Sequence, residues 1–177
     1  GQLTELAEAG LHIAYLGLES GNEQVLARMN KGETVSEIIE AGRKVKAAGI
    51  ALSLTAINGL GGAEMSREHA IDTAKAVSAI KPDYVALLTL RVYTGTPLAD
   101  WVEEGSFTLM DPVELARESR LFLEHVDSEG SVFRSNHASN YLPLAGTLNA
   151  DREKMIAQLD AALAGKRRFR SQVELGF

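Results

Sequence analysis

The sequence predicts a parallel α/β layer, in which amphipathic helices cover a sheet of buried strands. Three observations predict it. The runs His12–Leu18, Ile50–Ile57 and Tyr84–Leu90 are almost continuously apolar, the pattern of strands buried on both faces. The segments between them carry apolar residues at helical spacing. The text Glu8-Ala9-Gly10-Leu11 returns as Ala47-Ala48-Gly49-Ile50, a period of about 39 residues, near the 30 or more of a strand–helix–strand unit. Three such units are too few for a closed eight-stranded barrel, which takes about 200 residues or more.

Each element has a local reason. Leu3 to Ala9 reads as the end of a helix stopped by Gly10, a residue suited to the left-handed position after a helix. A short helix is expected over Glu23–Asn30. Thr34 and Glu37 form a capping-box pair, and Ile38, Ala41, Val45 and Ala48 share one face of the helix that follows, stopped by Gly49. Ser66 is placed to cap the next helix, with Ala70, Ala74 and Val77 as its stripe and Pro82 as its end. Asp111-Pro112-Val113-Glu114 is a strong helix start, with the helix running to His125. A short strand is expected at Ser131–Arg134, a polar loop at Ser135–Asn140, and a last helix over Asp151–Leu163 with Met155, Ile156, Leu159 and Leu163 on one side.

Composition narrows the function classes. At 177 residues, 45% hydrophobic and 24% charged, the chain has enough material for one domain with a core. A net charge of -6 argues against a nucleic-acid binder held by bulk electrostatics. The run Lys166-Arg167-Arg168-Phe169-Arg170 reads as a solvated tail. No apolar stretch approaches the roughly 20 residues of a membrane span, and the chain opens on no signal-peptide pattern. It has no cysteine, which fits a cytoplasmic protein and excludes thiolate-held zinc or iron–sulfur clusters on this chain.

Parallel sheets bind ligands beyond the carboxyl ends of their strands. There the sequence offers Glu19-Ser20-Gly21-Asn22, then Thr55-Ala56-Ile57-Asn58-Gly59-Leu60-Gly61-Gly62, then Thr89-Leu90-Arg91. Glu19 reads as a hydroxyl acceptor or general base, or as a cap on the short helix after it. Gly59 to Gly62 reads as a phosphate-cradling turn or as a plain strand-to-helix turn. Lys31 and Arg91 read as anion binders or as surface cations. His12 and His125 look structural and His69 sits in a first helical turn, which leaves His137, in the polar loop, as the substrate candidate. No metal-ligating spacing is present.

The combination of these segments resembles radical S-adenosylmethionine (SAM) enzymes. Tyr15 to Gly32 resembles the fourth strand and following helix of that superfamily, nearest the branch holding oxygen-independent coproporphyrinogen oxidase-like proteins and methylthiotransferases. Asn58-Gly59-Leu60-Gly61-Gly62 resembles the end of the fifth strand, and Lys81-Pro82-Asp83-Tyr84-Val85 the approach to the sixth. The resemblance implies half of a partial (β/α)6 TIM-like barrel over 1–110, three βα units, with 111–177 as a helical C-terminal extension packed on the same domain. It implies a SAM nucleoside pocket. Glu19 and Thr55 would stand at the ribose and Lys31 at the methionine carboxylate, with Ser20 also among the cofactor-binding residues. Ile57, Leu88, Thr89 and Arg91 would stand around the adenine, with Asn58 and Gly59 as further cofactor-binding residues.

The superfamily's three-cysteine motif and its motif for the methionine amino group are missing, so the resemblance implies a fragment of a longer protein. SAM and a [4Fe–4S] cluster are expected in the parent and neither on this chain alone. The missing N-terminal half is the expected partner, with self-association through the bared first strand as the alternative. Two other readings stay open: a non-catalytic α/β interaction module, and an aldolase-like half barrel binding phosphate at Gly59–Gly62.

Overall fold

The structure, a computed structural model, describes residues 1–175; Gly176 and Phe177, the end of the 111–177 extension, lie outside the described residues. The first half runs α1 (Gln2–Glu8), β1 (Ile13–Glu19), α2 (Glu23–Arg28), α3 (Val35–Ala47), β2 (Ala51–Asn58), α4 (Gly62–Ile80) and β3 (Tyr84–Thr89). The second runs α5 (Pro97–Glu103), α6 (Pro112–His125), β4 (Val132–Ser135), β5 (Leu144–Thr147), α7 (Arg152–Leu163) and α8 (Gln172–Leu175). The sheet order is β1-β2-β3-β4-β5. The first three pairings are parallel and β4–β5 is antiparallel. The segment after residue 110 is therefore more than a helical extension, because it adds two strands to the sheet. β1 stands at one edge.

The capping boxes form as the sequence suggests, Thr34 with Glu37 and Asp111 with Glu114. Three details differ. Ala41 is exposed, and the packed face of α3 runs through Ile38, Gly42 and Val45 instead. Ser66 follows a bend in α4 at Met65 (φ -123°, ψ 15°) and donates its hydroxyl to Glu118 Oε2. The basic run is not a solvated tail. Phe169 packs on the core, the Arg170 amide donates to Tyr141 O, Arg167 donates to Gln158 Oε1, and Arg168 pairs with Glu174.

Side chains alternate across a strand, and here alternation separates two unlike faces. Leu18, Leu52, Leu54, Ala56, Val85, Leu87 and Phe133 point to the helix layer and are buried. They meet Ile38, Ala74, Val77, Phe122, Leu123, Met155 and Leu159 in one core, with the Phe122 and Phe133 rings stacked 6.0 Å apart. Each fully buried leucine is worth about 1.5–3 kcal/mol relative to exposure. The opposite face has no helix layer. Tyr15 there is 76% exposed, Thr55, Ile57, Tyr84 and Leu88 are half-buried, and Arg134 lies over the Tyr84 ring.

Candidate functional site at the carboxyl rim

Parallel pairing brings the carboxyl ends of β1, β2 and β3 to one rim. In register, Glu19 stands beside Ala56, Ile57 beside Leu88, and Asn58 beside Thr89. Ile57 and Leu88 therefore share the open face. Asn58 and Thr89 share the helix-covered one.

On the open face two adjoining hollows meet at Ile57 and Leu60. The first, about 340 Å³, is lined by Glu19, Leu26, Met29, Lys31, Ile57 and Leu60. The second, about 330 Å³, extends past Leu88 to Arg91, Tyr93 and His137. Both are of the size range of small-molecule sites, about 300–1,000 Å³. Thr55 shares the Ile57 face two residues down the strand but is not among the residues lining either hollow.

Glu19 owes its position to its backbone. The ladder shifts between Gly17 and Glu19, and Glu19 takes φ 59°, a conformation costly for a residue with a side chain. Its carboxylate folds back over Gly17, where a Cβ would collide with Glu19 Oε1, and Lys31 Nζ stands 3.6 Å from it. Glu19 does not cap α2. That role falls to Asn22, whose Oδ1 accepts from Gln24 N and Val25 N. Lys31 is accordingly not a lone surface cation.

Behind the sheet the predicted polar residues are already occupied. Ser20 is fully buried and hydrogen-bonds His69 Nδ1 at 2.8 Å. Asn58 donates its amide to Leu115 O and Ser119 Oγ. Thr89 donates its N–H and its hydroxyl to Asn140 Oδ1. Gly59 N donates to Glu118 Oε1 at 2.6 Å. The space around Asn58, Thr89 and Asn140 is about 20 Å³, room for about one water and no ligand. The side chains of Ser20, Asn58 and Thr89 thus hold the rim together, and of the three only Thr89 also borders a hollow, the second.

The glycine turn is likewise no empty phosphate cradle. The Gly59 amide serves the Glu118 carboxyl, Leu60 N bonds Ile57 O, Gly62 N bonds Gly59 O, and Ala63 N bonds Thr108 O. Four backbone donors in and just after the turn, those of Gly59, Leu60, Gly62 and Ala63, are thus spent inside the chain.

Sequence reasoning missed the buried centre beneath this rim. His69 Nε2 is 2.9 Å from Ile57 O. A carbonyl only accepts, so Nε2 carries the proton and Nδ1 accepts from the Ser20 hydroxyl. Burial pushes the His69 pKa down to about 4, against the hydrogen bond to Ile57 and the Asp72 charge. Glu118, also buried, is pushed up to about 7 by desolvation, partly offset by the Ser66 hydroxyl and the Gly59 amide. His69 Nε2 and Glu118 Oε1 are 3.7 Å apart, but with His69 neutral this approach is not an ion pair. A usable signal was present: Leu115, Glu118 and Phe122 fall on one stripe of α6, so an acid interrupts an apolar face.

His137 is exposed, in a loop anchored from beneath. Asn140 accepts from Thr89 as above, and its Nδ2 donates to Leu87 O and Ser135 Oγ, extending strand pairing past the end of β4. Arg170 Nη1 donates to His137 O. The described residues hold no group of acidic, histidine or cysteine side chains that could bind a metal ion, and no helix among them is long and apolar enough to cross a membrane.

Part of the chain is similar to known proteins. Residues 1–77 match the family model described as the radical SAM superfamily. An uncharacterized protein of Methanocaldococcus jannaschii is 31% identical over 125 residues, covering 70% of this chain and 38% of that protein. Among solved structures, the archaeal Methanocaldococcus infernus Elp3 with an N-terminal deletion is similar with TM-score 0.63 and 18% identity, over 94% of this chain and 39% of that one. Methylornithine synthase (PylB) follows with TM-score 0.52 and 20% identity, over 95% of this chain and 55% of that one. The chain thus spans well under half the length of the first two and about half of the third. At these identities the two structural likenesses are likenesses of fold.

Proposed function

We propose that this chain, radical SAM superfamily sequence over residues 1–77, forms part of the SAM nucleoside pocket of a radical SAM enzyme. The observation that carries the reading is the first hollow, where a carboxylate stands at the mouth of an apolar slot formed by Leu26, Ile57 and Leu60. That pairing suits a nucleoside, with Glu19 accepting from the ribose hydroxyls and Ile57, Leu60 and Leu88 keeping water from the base. Lys31 holds Glu19 in place and offers a cation to a carboxylate. Thr55 stands lower on the same face, outside both hollows, and is not assigned a contact.

Bound here, with a [4Fe–4S] cluster held elsewhere in the parent, SAM would supply radical chemistry for hydrogen-atom removal from a substrate. The residues here fit the nucleoside and do not fit the cluster, for which the chain has no thiolate. Cluster ligands and the reductive step are assigned to the rest of a longer parent. Among the rival readings, a phosphate-binding half barrel is disfavoured by the occupied amides of the glycine turn. A cysteine triad upstream in the coding sequence separates the leading reading from a non-catalytic module.

The binding test uses the 177-residue chain titrated with 5′-deoxyadenosine by calorimetry. Binding is expected, and Glu19→Gln is expected to weaken it by about tenfold or more, the loss of a charge-assisted hydrogen bond of roughly 1.5–3 kcal/mol. Binding unaffected by that change overturns the assignment. Anaerobic reconstitution of the same chain is expected to yield no thiolate-to-iron absorption bands, and a stable cluster would refute the division of labour.

A further inference from the structure

We propose that His69 is a positioning residue for the first hollow: its ring ties the end of β1 to the end of β2 and so holds the Glu19 carboxylate at the mouth of the apolar slot. What Glu19 contacts there rests on the nucleoside reading; the placement of Glu19 does not.

The turn after β1 needs holding. Ser20 N–H donates to Leu18 O at 2.7 Å, which closes a three-residue turn around Glu19 at φ 59°, the rare and strained form of that turn. Leu18 before it and Ser20 after it are both fully buried, while Glu19 itself lines the hollow. Such backbone persists only where its surroundings over-determine it. One face of α4 does this. His69, Asp72 and Thr73 stand three and four residues apart, the spacing of neighbours on a helix. His69 Nδ1 accepts from the Ser20 hydroxyl, Thr73 Oγ1 accepts from Gly21 N at 2.9 Å, and Asp72 Oδ2 accepts from the Asn22 amide at 2.8 Å. At Gly21 a Cβ would lie 2.2 Å from Asp72 O, so the turn rests directly on the helix backbone.

His69 also reaches the second strand. The β1–β2 ladder ends at Glu19 and Ala56. One residue further along each strand, Ser20 and Ile57 are joined through the ring, the Ser20 hydroxyl at Nδ1 and the Ile57 carbonyl at Nε2, at 2.8 and 2.9 Å. Glu19 and Ile57 both line the first hollow. The spacing of carboxylate and apolar slot is therefore set through one buried ring. Its two nitrogens have different duties, acceptor to Ser20 and donor to Ile57. An asparagine in its place sets an amide oxygen near Nδ1, and a glutamine sets an amide nitrogen near Nε2. The two duties are thus removable one at a time.

Three variants of the full 177-residue chain separate these duties. His69→Asn keeps an acceptor for Ser20, His69→Gln keeps only the donor to Ile57, and Ser20→Ala removes the hydroxyl itself. The first readout is the backbone carbon shifts of Glu19 in NMR spectra, which report its left-handed conformation without any ligand. The second is the loss in 5′-deoxyadenosine affinity on adding Glu19→Gln to each background. His69→Asn is expected to keep Glu19 left-handed and to keep a loss of about tenfold. In His69→Gln and Ser20→Ala, Glu19 is expected to leave that conformation and the loss to shrink to about twofold or less, because groups in one network are not additive. A merely structural histidine would lower the urea midpoint in every variant and leave that loss intact. Should His69→Gln not fold, Ser20→Ala, one buried oxygen smaller, decides alone. Glu19 unmoved in Ser20→Ala, or the full loss retained there, overturns the proposal, as does His69→Asn behaving like His69→Gln. Failure of the parent chain to bind 5′-deoxyadenosine overturns the nucleoside reading instead, and the Glu19 carbon shifts then decide the placement.

Discussion

At the ends of β2 and β3 neighbouring residues live in different chemical worlds. Ile57 and Leu88 look onto open hollows, while the polar groups of Asn58 and Thr89, one step along, are paired with Ser119, Leu115 and Asn140. The sealed side has its polar groups paired and about 20 Å³ of free space. The open side has half-buried apolar residues, a carboxylate and cations around more than ten times that volume. The difference teaches that position at a strand end is not enough to assign a binding role. The parity of the residue decides whether its side chain meets ligand or scaffold.

The sharpest way to break this comparison is to delete equal bulk on each side. Leu54→Ala on the helix-covered face, where Leu54 is fully buried, is expected to cost about 2–5 kcal/mol of unfolding free energy. Ile57→Ala, half-buried on the open face, is expected to cost well under half of that and to weaken nucleoside binding instead. Urea denaturation of both variants measures the gap. Equal losses would mean that the open face is part of the folding core.

A smaller effect is expected at the seam between scaffold and loop. Asn140→Ala strips the Thr89 N–H and the Leu87 carbonyl of their partner in a site without room for several waters. The expected cost is about 2–3 kcal/mol, with faster hydrogen exchange at the Thr89 amide. Asn136→Ala, exposed in the same loop, is expected to stay within about 0.5 kcal/mol of the parent. A similar cost for the two would detach the loop from the sheet energetically.

How much of this was legible in the sequence follows from the physics of each part. β1, β2 and β3 were readable because each is an apolar run set between helical stretches. β5 was not, since Leu144-Ala145-Gly146-Thr147 is four residues long and follows Pro143; it exists because β4 offers it an antiparallel edge. α5 is seven residues, too short for periodicity to stand out. At the site, the strand-end rule found Glu19, Ile57 and Arg91 and the family resemblance added Lys31 and Leu88, and the structure sets all five along the hollows. The same rule could not tell them from Ser20 and Asn58, because in β1 parity depends on where the bulge at Glu19 falls and in β2 on which face the helices cover. His69 and Glu118 come from separate helices, and nothing local announces that they meet.

Their meeting gives the smallest expected effect, because two opposing slopes cancel. Glu118 has its pKa raised from 4.5 to about 7, so the folded state holds a proton that the unfolded chain has lost. Its contribution is present below 4.5 and is lost as pH rises toward 7. His69 has its pKa lowered from 6.5 to about 4, so the unfolded chain takes up a proton that the folded state refuses. Its contribution is present above 6.5 and is lost as pH falls toward 4. Between 4.5 and 6.5 one group lowers stability with rising pH and the other raises it. The pair therefore leaves the urea midpoint nearly level across that window. Each single variant uncovers the other slope. In Glu118→Gln, stability relative to the parent is expected to climb with pH from 4.5 to 6.5. In His69→Asn it is expected to fall over the same range. Urea midpoints measured at half-unit steps in pH decide it. Profiles of the same slope in both variants would mean that the two groups do not titrate as their burial requires. Opposite slopes would fix His69 as neutral and Glu118 as the proton carrier beneath the open hollows.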